Sequence, residues 1–121
     1  RTEFPFTLDA AASMENTVGR RYIDVETDAL SQTWSGVVWC NPPYGRRVDR
    51  WLLKGAESAD AGATVVFLLP ARTDTKWFHE IILPRAEIRF LRGRLNFGEH
   101  KHGAPFPSML AIFHPPAEFK L

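Results

Sequence analysis

This sequence predicts an α/β fold on a mostly parallel sheet, and three observations carry that prediction. Short apolar runs alternate with helical stretches through the earlier part of the chain. One of those runs, Ala63–Leu69, is continuously apolar, as strands covered on both faces are. The last two apolar runs, Glu87–Leu91 and Ser108–Phe113, are joined through Gly- and Pro-containing turns with no helical stretch between them. Alternation predicts a parallel, doubly wound arrangement, and the helix-free pair predicts one antiparallel edge strand.

Each element has a local reason. Phe4–Leu8 reads as a strand that closes on Asp9-Ala10-Ala11-Ala12-Ser13, and Arg20–Val25 reads as a short strand or a loop. Val37–Cys40 is a buried strand. Arg47–Ala59 has helical periodicity, with Val48, Trp51, Leu52 and Gly55 on one face. Gly62 turns the chain into the Ala63–Leu69 strand, and Pro70 ends that strand. Thr73 or Asp74 is placed to cap a helix that runs to about Ile82 and stops at Pro84. Gly93–Gly98 and Gly103–Pro107 are turn-rich, and Pro115-Pro116 closes the final strand. In sheets of this kind ligands bind beyond the carboxyl ends of the strands. Asp9, Asn41 and Pro70-Ala71-Arg72 each lie just past a strand end, so they are expected on one rim.

Composition bounds the possibilities. A chain of 121 residues is one domain, and 45% hydrophobic content supplies a core. The net charge of +1 excludes a protein that holds nucleic acid by a global basic field. Basic residues cluster instead at Arg20-Arg21, at Arg46-Arg47 with Arg50, across Arg85, Arg89, Arg92 and Arg94, and at His100-Lys101-His102. Such clusters are either solvated faces or local phosphate contacts. A single cysteine rules out an internal disulfide, and a cytoplasmic setting is the expectation. No apolar run approaches the roughly 20 residues of a membrane span, and no secretory signal is visible, so no membrane partner is expected. The histidines are too scattered for a zinc site, so no metal is expected either.

The tetrapeptide Asn41-Pro42-Pro43-Tyr44, directly after Val37-Val38-Trp39-Cys40, is the most chemically specific stretch. Its ordinary reading is a strand followed by a proline turn. Its functional reading is a site for methylating a nitrogen whose lone pair is tied into a π-system. The Asn41 side-chain oxygen and the Pro42 carbonyl accept the two N–H protons, and the lone pair is then aimed at a methyl donor. The prolines fix φ and remove backbone donors, so the loop presents carbonyls in a set direction. Tyr44 offers a flat face for stacking a planar substrate. Cys40 precedes the asparagine inside an apolar strand and reads as core, not as a nucleophile.

With those residues in place, the chain resembles the phage DNA N-6-adenine methyltransferase family, often called Dam-like. The resemblance covers nearly the whole chain. It rests on Phe6-Thr7-Leu8-Asp9-Ala10-Ala11-Ala12, on the stretch from Trp34 to Gly45, on Leu68-Leu69-Pro70-Ala71-Arg72-Thr73-Asp74-Thr75-Lys76-Trp77-Phe78-His79, on Arg92-Gly93-Arg94-Leu95-Asn96-Phe97-Gly98, and on Ala104-Pro105-Phe106-Pro107-Ser108-Met109. It implies a Rossmann-like, S-adenosylmethionine-dependent enzyme that methylates the N6 amino group of adenine in double-stranded DNA, in the cytoplasm of a bacterium or a phage-infected host. Asp9-Ala10-Ala11-Ala12 stands where methyltransferases at large carry a Gly-rich loop. An N-terminal segment usual in the family is absent before Arg1, so the expectation is a single methyltransferase domain over residues 1–121 lacking a short N-terminal element.

The resemblance also implies roles. Asn41, Pro42, Pro43 and Tyr44 form the catalytic centre. Asp9, Ala10, Ala11, Asp28 and Asn41 are the cofactor-binding candidates. Asp9 takes the methionine end, or else caps a helix. Asp28 takes the cofactor adenine, and Asp24 and Glu26 are rivals for a ribose contact. A solvated acidic loop explains those three acidic residues as well. Arg72, Arg92, Arg94 and Phe97 are the DNA-binding candidates. Ion pairs within the fold compete for the arginines, and core burial competes for Phe97. Two other functions stay open at this point. One is a different Asn-Pro-Pro-Tyr nitrogen methyltransferase, acting on a protein glutamine or an RNA guanine; the other is a catalytically silent DNA-binding module.

Overall fold

The computed structural model describes residues 5–10, 29–43, 47–95 and 106–117. Five strands form one sheet: β1 (Leu8–Asp9), β2 (Val37–Cys40), β3 (Thr64–Pro70), β4 (Glu87–Phe90) and β5 (Ser108–Phe113). Their order across the sheet is β1-β2-β3-β5-β4. β1, β2 and β3 pair in parallel, and β5 runs antiparallel to both its neighbours, β3 and β4. The sheet is therefore mostly parallel, with an antiparallel pairing at its edge. The reversed strand is not the edge itself, because it slots between β3 and β4. Burial explains that choice. β5 is apolar on both faces, with Met109, Ala111 and Phe113 on one and Ile112 on the other, all fully buried. β4 alternates Glu87 and Arg89 with Ile88 and Phe90, and a strand with charges tolerates an edge.

One helix, α1 (Val48–Asp60), crosses from β2 to β3. Its buried residues Val48, Trp51, Leu52, Gly55, Ser58 and Ala59 recur at helical spacing on one face. Gly55 is required there by contact. A Cβ at that position would come within 2.4 Å of Phe67 on β3, so α1 lies directly on the sheet. Phe67 then meets Phe113 edge-on at 5.8 Å and Trp34 at 6.3 Å, and Trp34 also lies 6.1 Å from Trp51. The buried Trp34 indole donates to the Ala29 carbonyl at 3.1 Å, which satisfies its one polar atom. At the far end of α1, Arg85 pairs with Asp60 at 2.8 Å and donates to the Ala56 carbonyl at 3.2 Å. A cation at a helix C-terminus suits the helix dipole and its unpaired carbonyls.

Strand and helix bounds in the described regions fall within one residue of the expected ones, with two exceptions. β1 is shorter than Phe4–Leu8 and lies later, at Leu8–Asp9. What precedes it is a clamp: Thr7 Oγ1 accepts from the Val37 amide at 3.1 Å and donates to the Val37 carbonyl at 3.2 Å. The helix cap is Thr75, not Thr73 or Asp74. Thr75 Oγ1 accepts from the Phe78 amide at 3.2 Å and donates to the Arg72 carbonyl at 2.8 Å. The segment it starts winds as a π-helix over Phe78–Ile82, closed by the Leu83 amide on the Phe78 carbonyl at 2.8 Å. That wider turn buries both Phe78 and Ile82 against the core. Arg20–Val25 lies outside the described residues.

Candidate active site

β1, β2 and β3 are parallel, so their carboxyl ends share one rim, as the sequence predicts. The rim is stepped. Asp9 stands opposite Trp39, and Cys40 stands opposite Phe67. β3 therefore continues three residues past β2, to Pro70, a rise of roughly 10 Å at ~3.3 Å per residue. The lower level carries Asp9, Ala10 and Asn41. The upper level carries Pro70, Ala71 and Arg72 with the start of β5. β4 ends level with the upper step, because Phe90 pairs with Met109 and Met109 pairs with Leu69.

At the lower level, β2 stops because Pro42 and Pro43 have no N–H for the ladder. Pro42 is buried and Pro43 half-buried, while Asn41 is exposed. The prolines anchor the loop and present the amide. Asp9 is exposed at the last position of β1. Ala10 is buried at its side, and its amide donates to the Trp39 carbonyl at 2.9 Å. Cys40 is fully buried. Burial, with the Asp9 carboxylate adding to it, pushes its thiol well above the ordinary range. Asp9 lies near the end of β2 because it stands opposite Trp39, and the protonated thiol fits the core reading of Cys40.

At the upper level, the loop leaving β3 is tied to the approach to β5. The Ala71 amide donates to the Pro107 carbonyl at 2.8 Å, and the Arg72 amide to the Pro70 carbonyl at 2.8 Å. The Arg72 guanidinium lies over the Phe106 ring, 5.5 Å from its centre. Arg92 and Arg94 are exposed on either side of Gly93, whose φ of 78° is the left-handed conformation that glycine adopts without penalty. Ser108, opposite Pro70, is buried, and its hydroxyl has no hydrogen-bond partner among the described residues.

The structure thus brings Asp9, Ala10, Asn41, Pro42 and Pro43 to one level, and Arg72, Arg92 and Arg94 to the level above. Ala11, Asp24, Glu26, Asp28, Tyr44 and Phe97 lie outside the described residues, as do His100 and His102. Two features escaped the sequence. An open cleft of about 490 Å³ lies between the first turns of α1 and the π-helical segment, lined by Asp49, Leu53, Lys76, Trp77, Glu80 and Ile81. Phe90 is 64% exposed, whereas Ile88 on the same face of its strand is half-buried against the core. Among the described residues no helix is long and apolar enough to cross a membrane, and no cluster of His, Cys, Asp and Glu could hold a metal ion.

Comparison with known proteins gives consistent results. The family described as DNA N-6-adenine-methyltransferase (Dam) matches residues 1–118. A protein of Haemophilus phage HP1, named DNA N-6-adenine-methyltransferase, is 32% identical over 121 residues, covering 94% of this chain and 70% of that protein. A protein of Escherichia phage T1 with the same name is 38% identical over 92 residues, covering 74% of this chain and 38% of that protein. The match thus spans well under half the length of the T1 relative. No solved structure matches.

Proposed function

Because this chain belongs to the DNA N-6-adenine-methyltransferase (Dam) family, we propose that it transfers a methyl group from S-adenosylmethionine to the N6 amino group of adenine in double-stranded DNA. The observation that carries this reading, beyond the family itself, is the lower step of the rim. There an exposed carboxylate and an exposed amide stand at the ends of adjacent parallel strands, ahead of two prolines. We read the sheet as Rossmann-like. The parallel β1-β2-β3 half and the reversed β5 between β3 and β4 support that.

The residues present suit the cofactor's charged end. Asp9 is solvent-facing and would accept hydrogen bonds from an ammonium group, and the two residues that follow it in sequence, Ala10 and Ala11, have small side chains. Asp28 is the acidic position assigned to the cofactor's adenine. When bound, S-adenosylmethionine supplies a methyl group already activated as a sulfonium, so the chemistry calls for no metal.

The chain's own residues do the rest. The target adenine is turned out of the duplex to reach Asn41. The Asn41 side-chain oxygen accepts one N6–H and the Pro42 carbonyl accepts the other. That draws the nitrogen out of conjugation and directs its lone pair at the donor. Pro43 holds the loop's direction, and Tyr44 stacks on the extruded ring. After transfer, the amine cation loses its proton readily, so no general base is assigned. Arg72, Arg92 and Arg94 hold phosphates or base edges from the upper step, with Phe97 as an aromatic neighbour of the extruded base. The setting is the cytoplasm of a bacterium or a phage-infected host.

The test is methyl transfer from labelled S-adenosylmethionine to unmethylated duplex DNA, digested to nucleosides. Label is expected in N6-methyldeoxyadenosine. Asn41→Ala is expected to lose about 100- to 1,000-fold in turnover, the scale for removing one preorganised polar contact to the reacting group. Its melting temperature should match wild type, because Asn41 is exposed. Intact cofactor binding with no label in DNA would overturn the reading in favour of a protein or RNA nitrogen.

A further inference from the structure

Phe90 is the most exposed of the large apolar side chains among the described residues, ahead of Leu83 and Leu53. Its strand parity gives no reason for that exposure. Ile88, two residues earlier on the same face, packs against the core. Phe90 has run past that cover, at the end of β4, level with the upper step of the rim. The chain then continues through Leu91, whose amide donates to the Ser108 carbonyl at 3.0 Å, into Arg92-Gly93-Arg94.

The placement relative to the proposed chemistry is specific. β4 lies two strands from β3 and three from β2. At ~4.8 Å per strand, Phe90 is about 10 Å across the sheet from the end of β3, where Arg72 follows, and about 14 Å from the line of Asn41. Base pairs are stacked at ~3.4 Å. A duplex crossing the rim with its target adenine over Asn41 would therefore pass Phe90 about four steps away. Arg92 and Arg94, both exposed, follow Phe90 in the chain, and Arg72 follows the end of β3 on the same rim. The acidic residues of these segments are Glu87, which pairs with Arg89 and His114, and Asp74 of the Arg72 loop. An exposed aromatic followed at once by two exposed arginines suits a polyanion, with cations on the phosphates and the apolar group against bases.

We propose that Phe90 is a DNA-contacting residue that packs against, or wedges between, bases about four steps from the methylated adenine. The inference rests on the reading of the substrate as DNA. The test measures binding of short, unmethylated duplexes of mixed sequence by the full chain over a series of salt concentrations. It compares wild type, Phe90→Ala, Phe90→Trp and Arg92→Ala, with S-adenosylmethionine binding and sedimentation followed in parallel.

Phe90→Ala should weaken duplex binding roughly 10-fold, the scale of one lost aromatic–base contact. It should leave the salt dependence, the cofactor affinity and the melting temperature unchanged, because an apolar contact releases no counterions and Phe90 is outside the core. Phe90→Trp should retain binding. Arg92→Ala should instead flatten the salt dependence by about one phosphate contact. Equal duplex affinity of wild type and Phe90→Ala would overturn the proposal and leave the DNA reading standing. A shift in sedimentation on Phe90→Ala would also overturn it, making Phe90 a contact between copies of the chain. A wild type that binds cofactor but no duplex would defeat the DNA reading, and the Phe90 contact with it.

Discussion

β3 and β5 pair over six residues, whereas β1 and β2 pair over two. The longer ladder is buried on both faces, and α1 lies so close to it that Gly55 has no room for a side chain. The shorter ladder ends in an exposed Asp9 beside an exposed Asn41, and its start is held by the Thr7 amide and the two side-chain bonds of Thr7, all to Val37. One side of the sheet concentrates stability, and the other carries the groups proposed for chemistry. The separation lets polar residues at strand ends change without cost to the core. It also leaves their position dependent on a handful of hydrogen bonds.

Substitutions on the two sides should therefore behave differently. The largest effect on stability is expected from Phe67→Ala. It empties the contact point of α1, Trp34 and Phe113 and should cost about 3–5 kcal/mol in urea unfolding. A loss below about 1 kcal/mol, the scale of an ordinary surface hydrogen bond, would mean that the β3–β5 side is not the stability centre. Thr7→Val keeps the shape of Thr7 but removes both side-chain bonds to Val37, leaving the Thr7 amide on the Val37 carbonyl. It should cost about 1 kcal/mol of stability and a clearly larger share of cofactor affinity, read by calorimetric titration. Equal affinity with lowered stability would show that the clamp serves folding alone.

The smallest effect belongs to a third place, the edge opposite β1. Hydrogen bonds from His114 and then Arg89, each at 2.7 Å, hold the Glu87 carboxyl below the usual carboxylate range. A lowered folded value contributes stability above the unfolded value of about 4.3, and that contribution is lost as pH falls through the folded one. Wild type should thus lose melting temperature more steeply than Glu87→Gln below about pH 4.3. The side chains involved are more than a third exposed, so solvent screens the interaction and the difference should be small. Parallel melting curves for the two proteins down through that window would remove Glu87 from the account.

Much of this architecture was legible in the residues, for physical reasons that differ by element. Val37–Cys40 and Ser108–Phe113 are short apolar runs between strong breakers, so their bounds are fixed locally. The shared rim followed from three strand ends each marked by Asp or Pro. The order of the strands was not legible, because β5 takes its place by having two apolar faces to cover, a property expressed only against its neighbours. Thr73, Asp74 and Thr75 are all able caps, so the residues alone leave the choice open; the local bonds of Thr75 with the Phe78 amide and the Arg72 carbonyl decide it. Phe90 was hidden because alternation predicts which face a side chain takes, not how far the covering layer extends. Of the candidate site, Asp9 and Asn41 were legible because each punctuates a strand.

The three residues by which β3 outruns β2 also have a mechanical meaning. In the described backbone, a rod-like ligand resting on Arg72 and the root of β5 cannot lie flush against Asn41. It spans a recess about 10 Å deep, three residues at ~3.3 Å. A single nucleotide swung out of the rod has the reach to cross that recess, and a paired base within the rod does not. The terraced edge would then act as a gauge, admitting to the amide only what has already left the stack.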